Sequence, residues 1–340
     1  MELGVRRRIV YLDIVKGVTI FLVVFGHCIQ FGNGKGFDFF GDILFKTIYS
    51  FHMPLFALVS GYLFYWSVSK RSPREVLIKQ VNNLILPAIS WTILYQAAIA
   101  AVHIYRGDFA GIGVTLQRIY SGIFGLWFLW AMFYSSVIVL LVREKFKDSI
   151  MVYVLIQFLL ILLPGRFAPS MYLVYLFPYF AAGYLWHRES MDEKFSVTNN
   201  KLLCAGVVLT WCVMLLFYDR SSYIYTTGIR FIQYKERVFM YHQLWIDIFR
   251  WIIGFAGCGA VLILLKLVKP VKFIAAIGVR SLGIYIISGY IFNYLATLPT
   301  IATGYTINFI QAVIITAVCY ALSEFISRVK LLNKIFFGCR

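Results

Sequence analysis

Residues 11–28 read Tyr11-Leu12-Asp13-Ile14-Val15-Lys16-Gly17-Val18-Thr19-Ile20-Phe21-Leu22-Val23-Val24-Phe25-Gly26-His27-Cys28. An apolar run of this length has the size of a membrane crossing, for which roughly 17–25 residues suffice. Three ionisable groups interrupt it. At 100° per residue Lys16 and His27 fall on one face, separated by about 16 Å along the axis, and Asp13 lies near that face one turn before Lys16. An acid, a base and an imidazole are costly inside a bilayer, so such a stripe normally faces an interior site. Gly17 and Gly26 leave room on the helix for a neighbour or a ligand. A second reading stands beside this one: Lys16 snorkels and pairs with Asp13, and His27 is a satisfied buried histidine.

The rest of the chain extends the membrane reading. Of its 340 residues 61% are hydrophobic and only 14% charged, with mean hydropathy +0.79, against about 25% charged in soluble domains. Apolar segments occupy 12–31, 43–66, 82–103, 123–142, 150–163, 170–187, 202–218, 244–265, 281–298 and 306–327. The expected fold is an all-α integral membrane protein of about ten transmembrane helices, with 1–340 as one domain and no fused soluble module. Arg6-Arg7-Arg8 before the first run resembles the start of a signal peptide. No small-residue cleavage site follows, so a retained first helix is expected.

The formal net charge of +17 raises the question of nucleic acid, and the positions of the charges answer it. With the N-terminus inside, 21 of the 32 Lys and Arg fall in cytoplasmic segments and 9 outside, with Lys16 and Arg250 left within helices. That asymmetry predicts both termini in the cytoplasm and removes the motive for a nucleic-acid partner. The six cysteines show no CxxC spacing, so neither a disulfide framework nor a zinc site is expected. Cys28 points about 100° away from His27 and reads as a packing residue.

The second helix adds Ser50-Phe51-His52-Met53-Pro54-Leu55-Phe56 and Ser60-Gly61-Tyr62. Pro54 removes a backbone donor and predicts a bend with a freed carbonyl near His52. His52 would lie at a depth to meet His27 across a helix pair; alternatively it is a structural histidine on the kink carbonyl. After this helix Lys70, Arg71, Arg74 and Lys79 form a dense basic cluster, suited to phosphate contacts but also expected of any cytoplasmic loop. The polar stretch 219–243 carries Tyr223, Tyr225, Phe231, Tyr234, Phe239 and Tyr241 with Arg230, Lys235 and Arg237. Such rings suit the apolar side of a sugar or simply form an interfacial belt. Asp247 and Arg250, one turn apart, read as a structural ion pair. Glu324 reads similarly, and His103 and His187 as solvated interface residues.

In this order the motifs resemble the acyltransferase-3 family of membrane O-acyltransferases over nearly the whole chain. The likeness rests on Lys16 and His27 within Leu-Asp-x-x-Lys-Gly, on Phe51-His52-Met53-Pro54-Leu55-Phe56 with Ser60-Gly61-Tyr62, and on Arg71-Ser72-Pro73-Arg74. Weaker echoes are Leu126-Trp127-Phe128-Leu129 and Phe180-Ala181-Ala182-Gly183-Tyr184. In Ser281-Leu282-Gly283-Ile284-Tyr285-Ile286-Ile287-Ser288, Ser288 stands where the family often has histidine.

The resemblance implies transfer of an acyl group, usually acetyl from acetyl-CoA, across a bacterial cytoplasmic membrane to a hydroxyl of a surface polysaccharide or lipid-linked glycan. The acyl-CoA is then a co-substrate, and no metal is called for. His27 would act as general base or as acyl carrier, with Lys16, Asp13 and His52 around it. Lys70, Arg71, Arg74 and Trp127 would hold the donor. A polytopic transporter of a glycan intermediate or small polar solute is the alternative. Against it, the Lys16/His27 stripe has no second copy, whereas transporters are often built from related halves.

Overall fold

The computed structural model describes residues 2–338 except 35, 163–169, 191–199, 231–234, 270 and 297–302, and of 2–9 and 170 the backbone only. Lys35, Arg166, Lys194 and Arg340 of the charge distribution, Phe231 and Tyr234 of the aromatic stretch, and Cys339 lie outside the described residues, as do the side chains of Arg6–Arg8.

Every described element is helical. In chain order they are α1 (Glu2–Gly32), α2 (Ile43–Tyr49), α3 (His52–Ser69), α4 (Pro73–Gln80), a π segment (Val81–Ile85), α5 (Leu86–Arg106), α6 (Ile112–Gly125) and α7 (Trp127–Phe146). There follow α8 (Ile150–Leu162), α9 (Ser170–Arg188), α10 (Lys201–Leu216), a 3-10 turn (Arg220–Ser222), α11 (Ile224–Thr227), α12 (Arg237–Leu267), α13 (Lys272–Val279), α14 (Ser281–Leu295), α15 (Tyr305–Arg328) and α16 (Lys330–Phe337). Six stretches are long and apolar enough to cross a membrane: Val10–Gly32, Ile43–Ser69, Pro73–Arg106, Trp127–Phe146, Arg237–Leu267 and Tyr305–Arg328. The α13–α14 pair, bent by 71°, would make a seventh, and α8 and α10 are shorter apolar helices. The molecule is thus a multi-pass membrane protein.

Between membrane helices the hydrophobic effect gives little drive, so close packing over small residues carries association. The arrangement follows this rule at two seams. Gly61 of α3 lies against the Phe180 carbonyl of α9, and Gly183 of α9 against the Leu58 carbonyl of α3, each so close that a Cβ would collide. Likewise Gly17 of α1 meets the Ile274 carbonyl of α13, while Gly278 of α13 meets the Asp13 carbonyl of α1. The room Gly17 leaves is therefore taken by a neighbouring backbone, and that of Gly26 by the Tyr49 ring. The second seam shows that the stretch between the apolar segments 244–265 and 281–298 includes a helix, α13, docked on α1 beside Asp13 and Gly17.

The second span is broken, and Pro54 is not where it breaks. α2 ends at Tyr49 and α3 starts at His52, which puts Pro54 in the first turn of α3, where a missing N–H costs nothing. The carbonyls at the break are satisfied by its own side chains, one of which is held in turn by a distant tryptophan. Trp211 Nε1 donates to Ser50 Oγ (3.0 Å), which donates to the Thr47 carbonyl (2.8 Å), and His52 Nδ1 donates to the Ile48 carbonyl (2.8 Å). The third span begins earlier than the apolar pattern indicates, at Pro73, and passes through the π segment just before Pro87. Proline cannot bond the carbonyl four residues back, and a widened turn is a usual response.

If the α3–α9 seam carries the fold, Gly183→Leu lowers the thermal midpoint of the detergent-solubilised protein sharply, because overpacking against backbone typically costs about 1–3 kcal/mol or more. A melting curve followed by size-exclusion chromatography checks it, with exposed Gly206→Leu on α10 as the control that leaves the midpoint in place.

Candidate active site

His27 sits five residues before the end of α1 at Gly32, partly exposed. Its Nδ1 lies 3.2 Å from Gln30 Oε1 and 3.4 Å from the Tyr49 hydroxyl, which itself donates to Gln30 Oε1 at 3.4 Å. With Gln30 Oε1 accepting, Nδ1 carries the proton and Nε2 the lone pair. Nε2 has no hydrogen-bond partner among the described residues. Phe31 stacks on the imidazole and Phe292 of α14 tilts against it, 5.9 and 5.1 Å between centroids. The ring is therefore held by packing and one neutral amide, with one nitrogen open as a proton acceptor.

His52 does not meet His27 directly. The Tyr49 ring stands between them, 6.4 Å from His27 and 4.6 Å from His52. Because Nδ1 of His52 is engaged by the Ile48 carbonyl, its tautomer is fixed by the helix break. Tyr49 and Gln30 are the two site residues that sequence reasoning missed. Gln30 had a usable signal, being three residues after His27 and so on the same face.

Eleven residues earlier on α1, Lys16 Nζ bonds Asp13 Oδ1 at 2.8 Å and also lines a cavity of about 240 Å³. Both sequence readings of Lys16 thus meet in one side chain. The polar end of the cavity is formed by Lys16, Ser67, Lys79, Gln80 and Asn83, the last within the π segment, and Lys79 Nζ donates to Ser67 Oγ at 2.8 Å. Its apolar end is made by Met53, Phe56, Phe128, Met132 and Tyr285. Along α3, Met53 to Ser67 is fourteen residues, so the lining extends for about 21 Å. Met53 and Phe128 are the chain neighbours of His52 and Trp127.

Lys70, Arg71 and Arg74 are exposed and do not line this cavity. Arg74 is in the first turn of α4, whose N-cap Ser72 and Glu75 form a reciprocal capping box. Lys79, four residues into the same cluster from Glu75, is the cation that faces the cavity. Trp127 stacks on Tyr172 at 4.1 Å instead of lining the cavity. Ser288 is buried, and its hydroxyl donates to its own helix at the Tyr285 carbonyl (3.3 Å). His187 is not a solvated residue: it is buried among Tyr62, Tyr65 and Trp66, with Nδ1 donating to the Tyr62 carbonyl at 2.8 Å. His103 bonds Asp108 at 2.9 Å, and Glu324 pairs with Arg280 at 2.9 Å. Cys28 is buried in the core.

At the His27 end the segment Asp219–Gly228 folds over the bundle, held by one side chain of α12. Arg250 donates to the carbonyls of Ser222 (2.7 Å), Ser221 (2.9 Å), Tyr223 (2.9 Å) and Gly228, to Thr227 Oγ1, and to Asp247 Oδ1 (3.1 Å). Gln243 adds bonds to Asp247 (2.8 Å) and the Gly228 carbonyl (3.1 Å). The ion pair read from sequence is real, but its larger part is a clamp on this segment. Burial opposes the charge of Asp219, yet hydrogen bonds from Ser221 and Ser222 outweigh it and hold the carboxyl below the ordinary aspartate range. The clamp presents two rings to Tyr49: Tyr223, buried, at 6.2 Å, and Tyr225, exposed, at 6.4 Å and also 6.2 Å from Tyr172.

These features define a helical membrane protein with a long amphipathic cavity entering from one side and an imidazole near the other. The sequence profile of the Acyl_transf_3 family, described as an acyltransferase domain, matches residues 9–328, and the chain belongs to that family. It is similar to the nodulation protein NolL of Sinorhizobium fredii, 29% identical over 225 residues, covering 65% of this chain and 61% of that protein. NolL of Mesorhizobium japonicum is 28% identical over 184 residues, covering 54% of this chain and 49% of that protein. The chain thus aligns with about half to three-fifths of these relatives. No solved structure matches it.

Arg250→Met is expected to destabilise by about 3–5 kcal/mol, because it leaves Asp247 as an uncompensated buried charge. Thermal unfolding in detergent measures this, and the double variant Arg250→Met/Asp247→Leu should recover much of the loss. An unchanged midpoint in the single variant would show that the segment is held by something else.

Proposed function

We propose that the chain is an O-acyltransferase that moves an acyl group, most simply acetyl, from a cytoplasmic acyl-CoA to a saccharide hydroxyl on the opposite side of the membrane. The observation that carries this reading is the alignment of a cation-mouthed, apolar-walled cavity with a histidine whose free Nε2 lies toward the far end of the same helix. Ten crossings with both termini cytoplasmic form the matching topology. The six long apolar helices, the bent α13–α14 pair and the shorter apolar helices α8 and α10 supply candidates for these crossings, and in that topology the basic excess lies on the cavity-mouth side.

The chemistry follows from the groups present. Coenzyme A is anionic, and Lys79 with Lys16 at the mouth, together with Lys70, Arg71 and Arg74 on the adjoining surface, attracts its phosphates. The pantetheine arm, long and carrying two amides between its methylenes, suits a cavity whose lining extends for about 21 Å from a polar to an apolar end. Nε2 of His27 takes the proton of the acceptor hydroxyl as its oxygen attacks the thioester carbonyl. The tetrahedral adduct collapses, the C–S bond breaks, and the departing thiolate takes the proton from the imidazolium. Gln30 fixes the reactive tautomer, as the hydrogen bond to the second ring nitrogen generally does. A neutral amide does so without adding a charge that the membrane interior would penalise. The acceptor is a surface polysaccharide or a lipid-linked saccharide in the bacterial cytoplasmic membrane, and no step calls for a metal.

Purified protein with acetyl-CoA and a saccharide acceptor tests this. His27→Ala should reduce transfer by about 10²–10⁴-fold with the fold retained, and full activity would sink the role assigned to it. Gln30→Leu should lower kcat with both KM values little changed. Lys79→Ala should raise the acyl-CoA KM roughly tenfold, about 1.4 kcal/mol of binding. If Arg71→Ala and Arg74→Ala leave the donor KM unaltered, those two arginines serve topology alone. Failure of the wild type to bind acetyl-CoA would favour the transporter reading instead.

A further inference from the structure

Arg230 stands just beyond the clamped segment at the His27 end. Its side chain is 4% exposed, and its Nε and one terminal nitrogen have no hydrogen-bond partner among the described residues. No salt bridge to a carboxylate is found for it among the described residues, and burial is the one influence on its titration. Desolvation by burial pushes the Arg230 guanidinium below its ordinary range. A guanidinium cannot neutralise itself at any physiological pH, so one that is covered and unpaired remains destabilising until an anion arrives. The contrast with Arg250 is instructive. The same side-chain type twenty residues later is fully saturated by carbonyls, a hydroxyl and a carboxylate. An arginine left unsatisfied in the same region is positioned for a ligand.

What surrounds its approach indicates the kind of ligand. Five residues earlier, Tyr225 is 47% exposed and begins a line of rings that runs inward. Tyr225 meets Tyr172 and Tyr49, Tyr172 stacks on Trp127, and the Tyr49 hydroxyl lies 3.4 Å from His27 Nδ1. Even fully extended, five residues place the two Cα atoms within about 17 Å, and the one-turn helix α11 and Gly228 between them shorten that further. A short saccharide covers such a distance. Tyrosine offers an apolar face to the C–H side of a pyranose ring and a hydroxyl to its polar edge. Arginine recognises carboxylate and phosphate through paired N–H bonds.

We propose that Arg230 is the anion-binding residue of an acceptor subsite, so that the acceptor is an acidic saccharide whose sugar ring rests on Tyr225 and whose carboxylate or phosphate pairs with Arg230. This rests on the reading that a saccharide acceptor arrives at the His27 end. It deepens that reading by assigning the acceptor a charge.

The experiment measures binding to the purified full chain by saturation-transfer NMR and calorimetry, without donor. The probes are trigalacturonate, its methyl ester and glucose 1-phosphate. The wild type should bind trigalacturonate or glucose 1-phosphate at least tenfold more tightly than the neutral ester. Whichever of the two acidic probes binds better assigns the charge to carboxylate or phosphate. Arg230→Gln should reduce the acidic probe to the level of the ester, and Tyr225→Ala should weaken acidic and neutral probes by similar factors while Tyr225→Trp retains binding. A second readout needs no ligand: Arg230→Met should raise the thermal midpoint of the free protein, since it removes an unpaired covered charge. Equal binding of acidic and neutral probes by the wild type, or a lowered midpoint in Arg230→Met, would overturn the proposal. Because acetyl-CoA is absent, these outcomes are independent of whether the donor reading holds. A protein that binds trigalacturonate but not acetyl-CoA would keep the subsite and lose the transferase.

Discussion

A charge buried in a medium that cannot hydrate it must be given partners, and the Arg250 guanidinium shows what this demands of the fold. It gathers four carbonyls, a threonine hydroxyl and the Asp247 carboxylate. Satisfying it obliges Asp219–Gly228 to turn back over the bundle, which seats Tyr223 and Tyr225 beside Tyr49 and so beside His27. The wall of the candidate site at that end is therefore a consequence of electrostatic accounting in low dielectric, with the aromatic contacts riding on it. Replacing such a cluster by apolar residues often costs little stability. Its role here is to fix one conformation of a segment that has no extensive core of its own.

The same constraint arranges the rest. Backbone carbonyls at the α2–α3 break are taken up by Ser50 and His52, and Trp211 donates to the Ser50 hydroxyl. The Asp13–Lys16 pair lies where α13 packs onto α1 through Gly17 and Gly278. Satisfaction is incomplete: Asp247 Oδ2, Trp251 Nε1 and Thr316 Oγ1 lack hydrogen-bond partners among the described residues, as do nitrogens of Arg230, and His27 has Nδ1 engaged and Nε2 open. Among these groups an imidazole nitrogen and a guanidinium are the two suited to proton transfer and anion recognition.

Much of this was legible in the sequence. The helical membrane class followed from run length and the scarcity of charge, and the Lys16/His27 stripe followed from helical periodicity. The Asp247–Arg250 pair followed from their one-turn spacing. What was hidden is of a different kind. Pro54 announced an irregularity, yet the break came at Ser50–Phe51, because the partner that stabilises it, Trp211, is 161 residues away. The cluster Lys70–Lys79 was visible, but only the register of α4 shows that Lys79 faces the cavity while Arg71 and Arg74 face outward. Tyr49 between the two histidines, the burial of His187 and the clamp on 219–228 all depend on tertiary neighbours. Local pattern does not encode these.

The central claim is that acyl groups cross the membrane through this chain, from the cavity mouth to the imidazole. Proteoliposomes with the cavity-mouth side facing inward, loaded with radiolabelled acetyl-CoA and given an acidic saccharide outside, test it most directly. The account predicts ester-linked label on the external saccharide, with coenzyme A accumulating inside in equal amount. Label that stays on coenzyme A, or that reaches only saccharide sealed inside with the donor, would contradict it.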